Sequence, residues 1–490
     1  MPGPRAWPFF GSVLGIDRAR PYETFTRWSA IYGDIYQCRL FGQTVVVLSG
    51  AAAIQEAFGP RSRDFAGRPK LFFRAAFMSD NCQDIVSASP SPSWHALRRT
   101  VQKEMKRFDP GLDRMELLTG AILDEMMEEF SRRAGEPFDP RENAYDAIMG
   151  VNCLFLVGEK FCKDSIELRL FKRLERFVTE SMSVGGRGFE LDMFPWLRFF
   201  GNATFQKLQE AKTISNILYD WLKSRVERDL MSGITGNGVV HGLFSALAAA
   251  KPELSETNVK LAIVNLLIGG ASATTAYLYL LINVLAQYPE VQRRLRIESD
   301  RVIGRDRRVG LSDRDSMSYT RAFLLELLRF GSMSPILIPH MTLVDTFIGD
   351  YQIPAGVQVF LNVRAVHHDA TFWNDPYVFQ PERFLDSSGC LIPPEDERRR
   401  RILSFGGGPR VCPGEQLALS RLFLAVVTIV QRFAVETPDG TLCPASCDPR
   451  TYDLGLVLRP KSYKVRFIAR VAKQLSNASS DMEQAQRLSF

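Results

Sequence analysis

Period-2 alternation appears first near the start of the chain. Residues 33–49, GDIYQCRLFGQTVVVLS, are rich in β-branched and aromatic residues, and Gly42-Gln43 marks a turn, which predicts a β-hairpin. The period then lengthens. Residues 51–59 read as a short helix and 93–107 as a longer one, with Trp94 and Arg98 four apart on one face. Helical periodicity dominates 112–230, broken near SVGGRGFELDMFPW (183–196), and SGITGNG (232–238) reads as a glycine-rich loop. The longest helical stretch is 256–287, with Pro289 shortly after its end. Another helix is predicted over about 318–330. Residues 335–362 are short, alternating and punctuated by Pro and Gly, which predicts small sheets. Residues 366–411 read mostly as loop, 415–433 as a strongly apolar helix and 440–470 as short strands. Residues 473–490 form a polar tail, the usual place for chain-end mobility.

This pattern predicts a mainly α protein with small β-sheets, without internal repeats or a clear linker. Three stretches are expected: a proline-rich lead-in at 1–12, one large domain at 13–470 and the tail at 471–490. Composition narrows the function. At 46% hydrophobic and 24% charged residues, large-scale disorder is not expected. A net charge of +6 over 490 residues gives no argument for nucleic acid. Eight cysteines without a CxxC pair, and five histidines, support neither a zinc site nor a disulfide framework, so a reducing, cytosol-facing setting is expected. There is no run of 18 or more apolar residues, so no segment is expected to span a membrane by itself.

FGGGPRVCPGE (405–415) crowds glycine, proline and arginine around Cys412. Glycine backbone can aim amide N–H groups at a sulfur. Pro413 suits the first turn of the following helix and Glu415 its acidic start, which places Cys412 at the positive end of a helix dipole. Phe405 can shield the sulfur from water, and Arg410 can bind a carboxylate. A thiolate held this way is a metal ligand.

Phe405, Gly408, Arg410, Cys412 and Gly414 match F-x-x-G-x-R-x-C-x-G, and here the chain resembles the haem-thiolate monooxygenases, the cytochrome P-450 family. Further motifs follow in that family's order. Glu326 and Arg329 match E-x-x-R, and FQPERF (379–384) adds Arg383; the resemblance implies a buried structural network of these three. It also implies haem b with Cys412 as axial iron ligand, a thiolate that favours O–O cleavage. Gly406 and Gly414 shape that loop. WHALR (94–98) matches W-x-x-x-R, so Trp94, Arg98, His340 and Arg410 are the implied partners of the haem propionates. His367 and His368 are read as structural. The implied fold is a single large domain around a buried haem, and the resemblance covers about residues 2–470.

The long helix departs from the family pattern. Aligned on Thr274-Thr275, the family's A/G-G-x-D/E-T-T becomes Gly270-Ala271-Ser272-Ala273-Thr274-Thr275. The acid is replaced by Ala273. Oxygen activation needs timed proton delivery; Thr274 keeps the hydroxyl role, and Ser272 or ordered water is expected to stand in for the acid. Gly269-Gly270 weakens the helix and leaves room for a kink or bulge. Thr274, Thr275 and Ser272 are therefore the catalytic candidates. Two other outcomes stay open: a haem-thiolate isomerase or dehydratase, and a haem-bearing lipid-binding protein with little turnover.

The resemblance is to the animal microsomal branch. It implies a monomer at the cytosolic face of the endoplasmic reticulum membrane, with PGPRAWPFFGS as the hinge after a membrane anchor that this chain lacks, and with Asn202 and Asn477 unglycosylated. DMFPWLRFF (192–200) is expected to dip into the bilayer surface. Electrons are expected from an NADPH–cytochrome reductase, with cytochrome b5 as a further candidate donor. The docking surface is expected at Arg98, Arg99, Lys103, Lys106, Arg107 and the RRRR run 398–401. Phe77, Leu267, Ile336 and Leu337 suggest a lipophilic substrate: a steroid, another lipid or a foreign compound.

Overall fold

A computed structural model describes residues 1–69, 73–162, 164–182, 188–233, 238–249 and 253–470. The tail at 471–490 and parts of the 183–196 and 232–238 stretches lie outside the described residues. The helix Glu256–Gln287 is central. It packs along Arg141–Val157 and also meets Ile166–Ser181, Ser318–Gly331 and Glu415–Arg432. Its start is fixed by a capping box, in which Ser255 Oγ accepts the Asn258 N–H and Asn258 Oδ1 accepts the Ser255 N–H. Every residue from Ala276 to Gln287 is buried. A helix apolar on all sides must be covered. This one is long and apolar enough to cross a membrane, yet 61% of its most apolar window lies inside the body, as expected of a core helix.

The expected bulge at Gly269-Gly270 does not occur, and the helix is α throughout. The room left by Gly270 is used for close packing instead. A Cβ there would lie 2.5 Å from Asn152 Oδ1, and Asn152 Nδ2 donates to Leu267 O at 3.0 Å.

The strands are β1 (Ile35–Leu40), β2 (Gln43–Leu48), β3 (His340–Met341), β4 (Thr346–Ile348), β5 (Tyr351–Ile353), β6 (Gln358–Leu361), β7 (Phe433–Glu436) and β8 (Arg466–Ala469). The main sheet has the order β1-β2-β6-β3, and β4-β5 and β7-β8 form two small pairs. β2 and β6 run parallel with Val47 opposite Phe360, which brings the 335–362 stretch onto the N-terminal hairpin. The hairpin turn falls at Phe41-Gly42, one residue before the expected pair, and both residues take positive φ (49° and 85°). Most of 440–470 is not strand. Pro444 and Pro449 lack the N–H a ladder needs and open 3₁₀ turns; the pairings of this stretch among the described residues are β8 and isolated bridges from Asp453 to Arg459 and from Val465 to Phe138.

Candidate active site

Cys412 lies between the 3₁₀ turn Gly408–Arg410 and the helix Glu415–Arg432. Gly406 and Gly408 take φ of 70° and 58°, values that cost glycine little. A Cβ on Gly407 would lie 2.6 Å from the Phe58 side chain, and one on Gly408 2.5 Å from Ser62 Cβ. The loop is thus pressed against the end of the Ala51–Phe58 helix. The Cys412 N–H donates to Phe405 O at 2.9 Å and closes the loop. Gly414 is the N-cap of the following helix, so Pro413 precedes the cap rather than sitting in the first turn. Cys412 is exposed, so Phe405 does not close the sulfur off as expected; the protein packed around the thiol still raises its pKa most, and Glu415 adds to this, whereas the Gly414 N–H and the Arg98 guanidinium act the other way. The protein therefore places one amide and one cation for the thiolate, and a bound metal would complete its ionisation.

The loop adjoins a cluster of cations. Arg98 Nη2 donates to Val411 O at 2.6 Å, and Arg410 donates to Ala66 O and Ala88 O. Trp94 stands between these two arginines, with ring centroid distances of 5.7 Å to Arg98 and 4.1 Å to Arg410. Its indole N–H is engaged by Ile85 O at 3.0 Å, so Trp94 serves as a wall rather than a free donor. His340 Nδ1 lies 2.6 Å from Phe65 O. Burial foremost, and Arg68 after it, hold His340 neutral, with a pKa well below the usual range. Arg68 is a member the sequence pattern did not reveal. It is buried and donates to Val86 O, Ile338 O and Pro339 O. Burial, then repulsion from Arg68 and Arg98, pushes Arg410 down to about 8. Burial pushes Arg68 to about 9, with Asp84 opposing. None of the three arginines forms an ion pair among the described residues, and Arg410 Nη1 is buried without a partner. Such a cluster requires anionic groups, and the two propionates of haem b fit it.

On the central helix, Thr274 is buried and makes no side-chain hydrogen bond among the described residues; Thr275 Oγ1 is buried without a partner. Ser272 faces another way. Its hydroxyl lies 2.7 Å from Oε1 of Glu175 on the Ile166–Ser181 helix. Glu175 was also missed, although it interrupts the apolar stripe Leu168, Phe171, Leu174, Val178, a signal that periodicity can detect. Of the substrate-side candidates, Leu337 packs with Phe58 beside Gly406, and Ile336 bridges two core clusters. Leu267 is buried in the core, and Phe77 packs with Phe73 and Phe205.

Glu326, Arg329 and Arg383 meet behind the loop. Arg329 Nε and Nη2 pair with the two Glu326 oxygens at 2.7 and 2.8 Å, and Arg383 Nε lies 3.4 Å from Oε1. Arg329 Nη1 also donates to His367 O and Pro376 O. The tautomer of His367 is set by its partners. Nδ1 meets Ser332 Oγ at 3.0 Å, and Nε2 accepts the Leu403 N–H at 3.0 Å. Burial first, then Arg329 and Arg364, lowers the His367 pKa to about 3, against about 6.5 when unfolded. Between these values the unfolded state binds the extra proton. The stabilisation is complete above about pH 6.5 and is lost as pH falls towards 3. His367→Gln is therefore expected to flatten the acid side of the stability profile. The slope should fall by nearly one proton's worth, about 1.4 kcal/mol per pH unit, in denaturant melts between about pH 5.5 and 4.

The Cytochrome P450 family model matches residues 1–467. The steroid 17-alpha-hydroxylase/17,20 lyase of Squalus acanthias is 29% identical over 478 residues, 95% of this chain and 91% of that protein. Cytochrome P450 1A2 of Cavia porcellus is 32% identical over 462 residues, 90% of this chain and 86% of that protein. Cytochrome P450 1A1 of Rattus norvegicus is 31% identical, covering 90% and 85%. The chain belongs to the cytochrome P450 family of haem b monooxygenases.

Proposed function

We propose that the protein inserts one oxygen atom of O₂ into a lipophilic small molecule, a steroid, another lipid or a foreign compound. Electrons come from NADPH through a separate reductase, and the protein works as a monomer on the cytosolic face of the endoplasmic reticulum membrane. The single observation that carries this reading is the Cys412 loop beside three arginines that have no ion-pair partner among the described residues. In it Cys412 would ligate haem iron, and Arg68, Arg98 and Arg410 would hold the propionates. Bound haem supplies oxygen activation at its iron. Thr274 presents a hydroxyl from the central helix, and Leu337 and Ile336 contribute apolar surface. The test uses ¹⁸O₂, a microsomal NADPH–cytochrome reductase, NADPH and a mixed panel of sterols and other lipophiles. One labelled oxygen per product is expected. An unlabelled product of unchanged mass, formed without NADPH, would replace this reading by an isomerase.

Charge on the Pro92–Phe108 helix supports reductase docking. Arg99, Lys103, Lys106 and Arg107 are exposed there, and among the described residues only Arg107 has a carboxylate partner, Glu104. The 398–401 run contributes less than its composition suggests. Arg398 is paired with Asp396, Arg399 donates to Ile392 O, and Arg401 is paired with Glu397 and Asp369 while stacked on Phe372.

The two apolar segments expected near the membrane meet in one patch. Phe41, thrown outward by its turn, contacts Phe10 on one side and Phe194 on the other, at 6.2 and 5.3 Å. Phe9, Phe199 and Phe200 are 91%, 73% and 76% exposed. A lipid surface suits such a patch. Replacing Phe199 and Phe200 by Ser is expected to weaken vesicle binding at least roughly tenfold in flotation assays, by loss of buried apolar area, with the melting temperature unchanged.

A further inference from the structure

A cavity of about 210 Å³ lies between the helices Asp113–Arg132 and Arg141–Val157, with Leu168 of the Ile166–Ser181 helix in its third wall. No residue of the cysteine loop or of the central helix lines it. The space follows from the sequence. Helical spacing puts Ala147, Gly150 and Cys153 on the face of the second helix that meets Ile122 and Met126 of the first. Side chains that small leave a gap where a close-packed core would have none. The nearest neighbours of a Cβ built on Gly150 would be atoms of Ile122, from 3.3 Å outwards. Phe161 adds an aromatic wall, its ring 5.7 Å from that of Phe171 and 5.4 Å from that of Trp221.

The rest of the lining is polar and mostly anionic. Asn143 is only 9% exposed and lines the cavity, yet its side-chain amide makes no hydrogen bond among the described residues. A buried amide left this way is costly unless an occupant of the cavity satisfies it. Four carboxylates, Glu125, Glu128, Glu129 and Asp146, line the space against two cations, Arg132 and Lys160. Lys160 pairs with Glu125. Lys172 and Arg133, the partners of Asp146 and Glu129, stand outside the lining, and Glu128 has no ion-pair partner among the described residues. The excess charge on the walls is negative, which repels an anion and attracts a cation, and the Phe161 ring favours a cation too.

Size narrows the ligand further. An apolar cavity of about 150 Å³ takes benzene. The present volume of about 210 Å³ therefore holds one such ring and a short arm, and it is smaller than the roughly 300 Å³ at which sites for drug-sized molecules begin. We propose that this cavity is a second ligand site, separate from the haem centre, for a small lipophilic cation: a protonated primary amine on a short arm from a ring-sized apolar body. The ammonium donates to the Asn143 amide oxygen and sits among the carboxylates, and the body covers Ile122, Met126 and Phe161.

The test is calorimetry on the haem-loaded protein, reduced and saturated with carbon monoxide so that an amine does not take the iron. Benzylamine, protonated near neutral pH, is expected to bind once per chain without moving the haem absorption band. Benzyl alcohol has the same shape without the charge and should bind at least roughly tenfold more weakly, and benzoate should not bind. Asn143→Leu keeps the volume and removes a buried polar group that has no partner, so the fold should hold while benzylamine affinity falls at least roughly tenfold. Gly150→Leu fills the space from the second helix and should abolish binding with haem content unchanged. An absence of benzylamine binding in wild type overturns the proposal. So does benzyl alcohol or benzoate binding as tightly as benzylamine, or full affinity in either variant. An amine-induced shift of the haem band also overturns it, because it places the amine at the haem centre instead.

Discussion

Replacing Cys412 by Ser should take monooxygenation to background and remove the thiolate signature from the absorption spectrum of the haem–carbon monoxide complex. A serine hydroxyl is not ionised near neutral pH and offers a hard oxygen where the haem-thiolate site needs an electron-rich sulfur. The loop itself should survive. Its closing bond, Cys412 N–H to Phe405 O, is made by backbone, and the contacts of Gly407 and Gly408 with Phe58 and Ser62 do not involve the sulfur. The melting temperature of the protein without haem should therefore stay within the shift that about 1 kcal/mol produces. Retention of the thiolate spectrum would move the ligand to another cysteine. Cys38, Cys153 and Cys447 are buried in the core with pKa values raised by burial, so none of these is placed to take over.

The cysteine loop and the long helices were legible because each is written in consecutive residues. Phe405 to Glu415 carries its turn chemistry in the chain, and 256–287 carries its apolar character on every face. Long-range placement was harder to read. Arg68 gives no local signal, since a basic residue in a glycine–proline stretch is ordinary. It becomes part of the site only because β3 brings Ile338 and Pro339 to its guanidinium. The indole N–H of Trp94 is spent on Ile85, a partner fixed by tertiary packing. The run at 398–401 shows the converse case. Its composition suggests a docking surface, while three of the four arginines also hold local carboxylates or carbonyls that the run itself does not reveal. The glycines of the central helix were read as a bend, and Asn152 occupies the room Gly270 leaves.

Glu326→Gln should be the most damaging substitution away from the cysteine. Arg329 is fully buried and Arg383 nearly so, and Glu326 is the carboxylate that both of them face. Removing that charge leaves guanidiniums uncompensated in the core, a cost of roughly 3–5 kcal/mol. A typical domain has only about 5–15 kcal/mol in total. The damage should also reach the cysteine. Arg329 holds His367 O, the His367 ring accepts the Leu403 N–H, and two residues later Phe405 O accepts from Cys412. Loosening the first bond loosens each that follows, so haem retention should fall together with stability. Arg383→Ala should cost less, because its contact with Glu326 is the longer one at 3.4 Å. Denaturant midpoints and haem content per chain for the two variants check this order. A loss below about 1 kcal/mol for Glu326→Gln, with full haem content, would show that the loop is held by its packing on Phe58 and Ser62 instead.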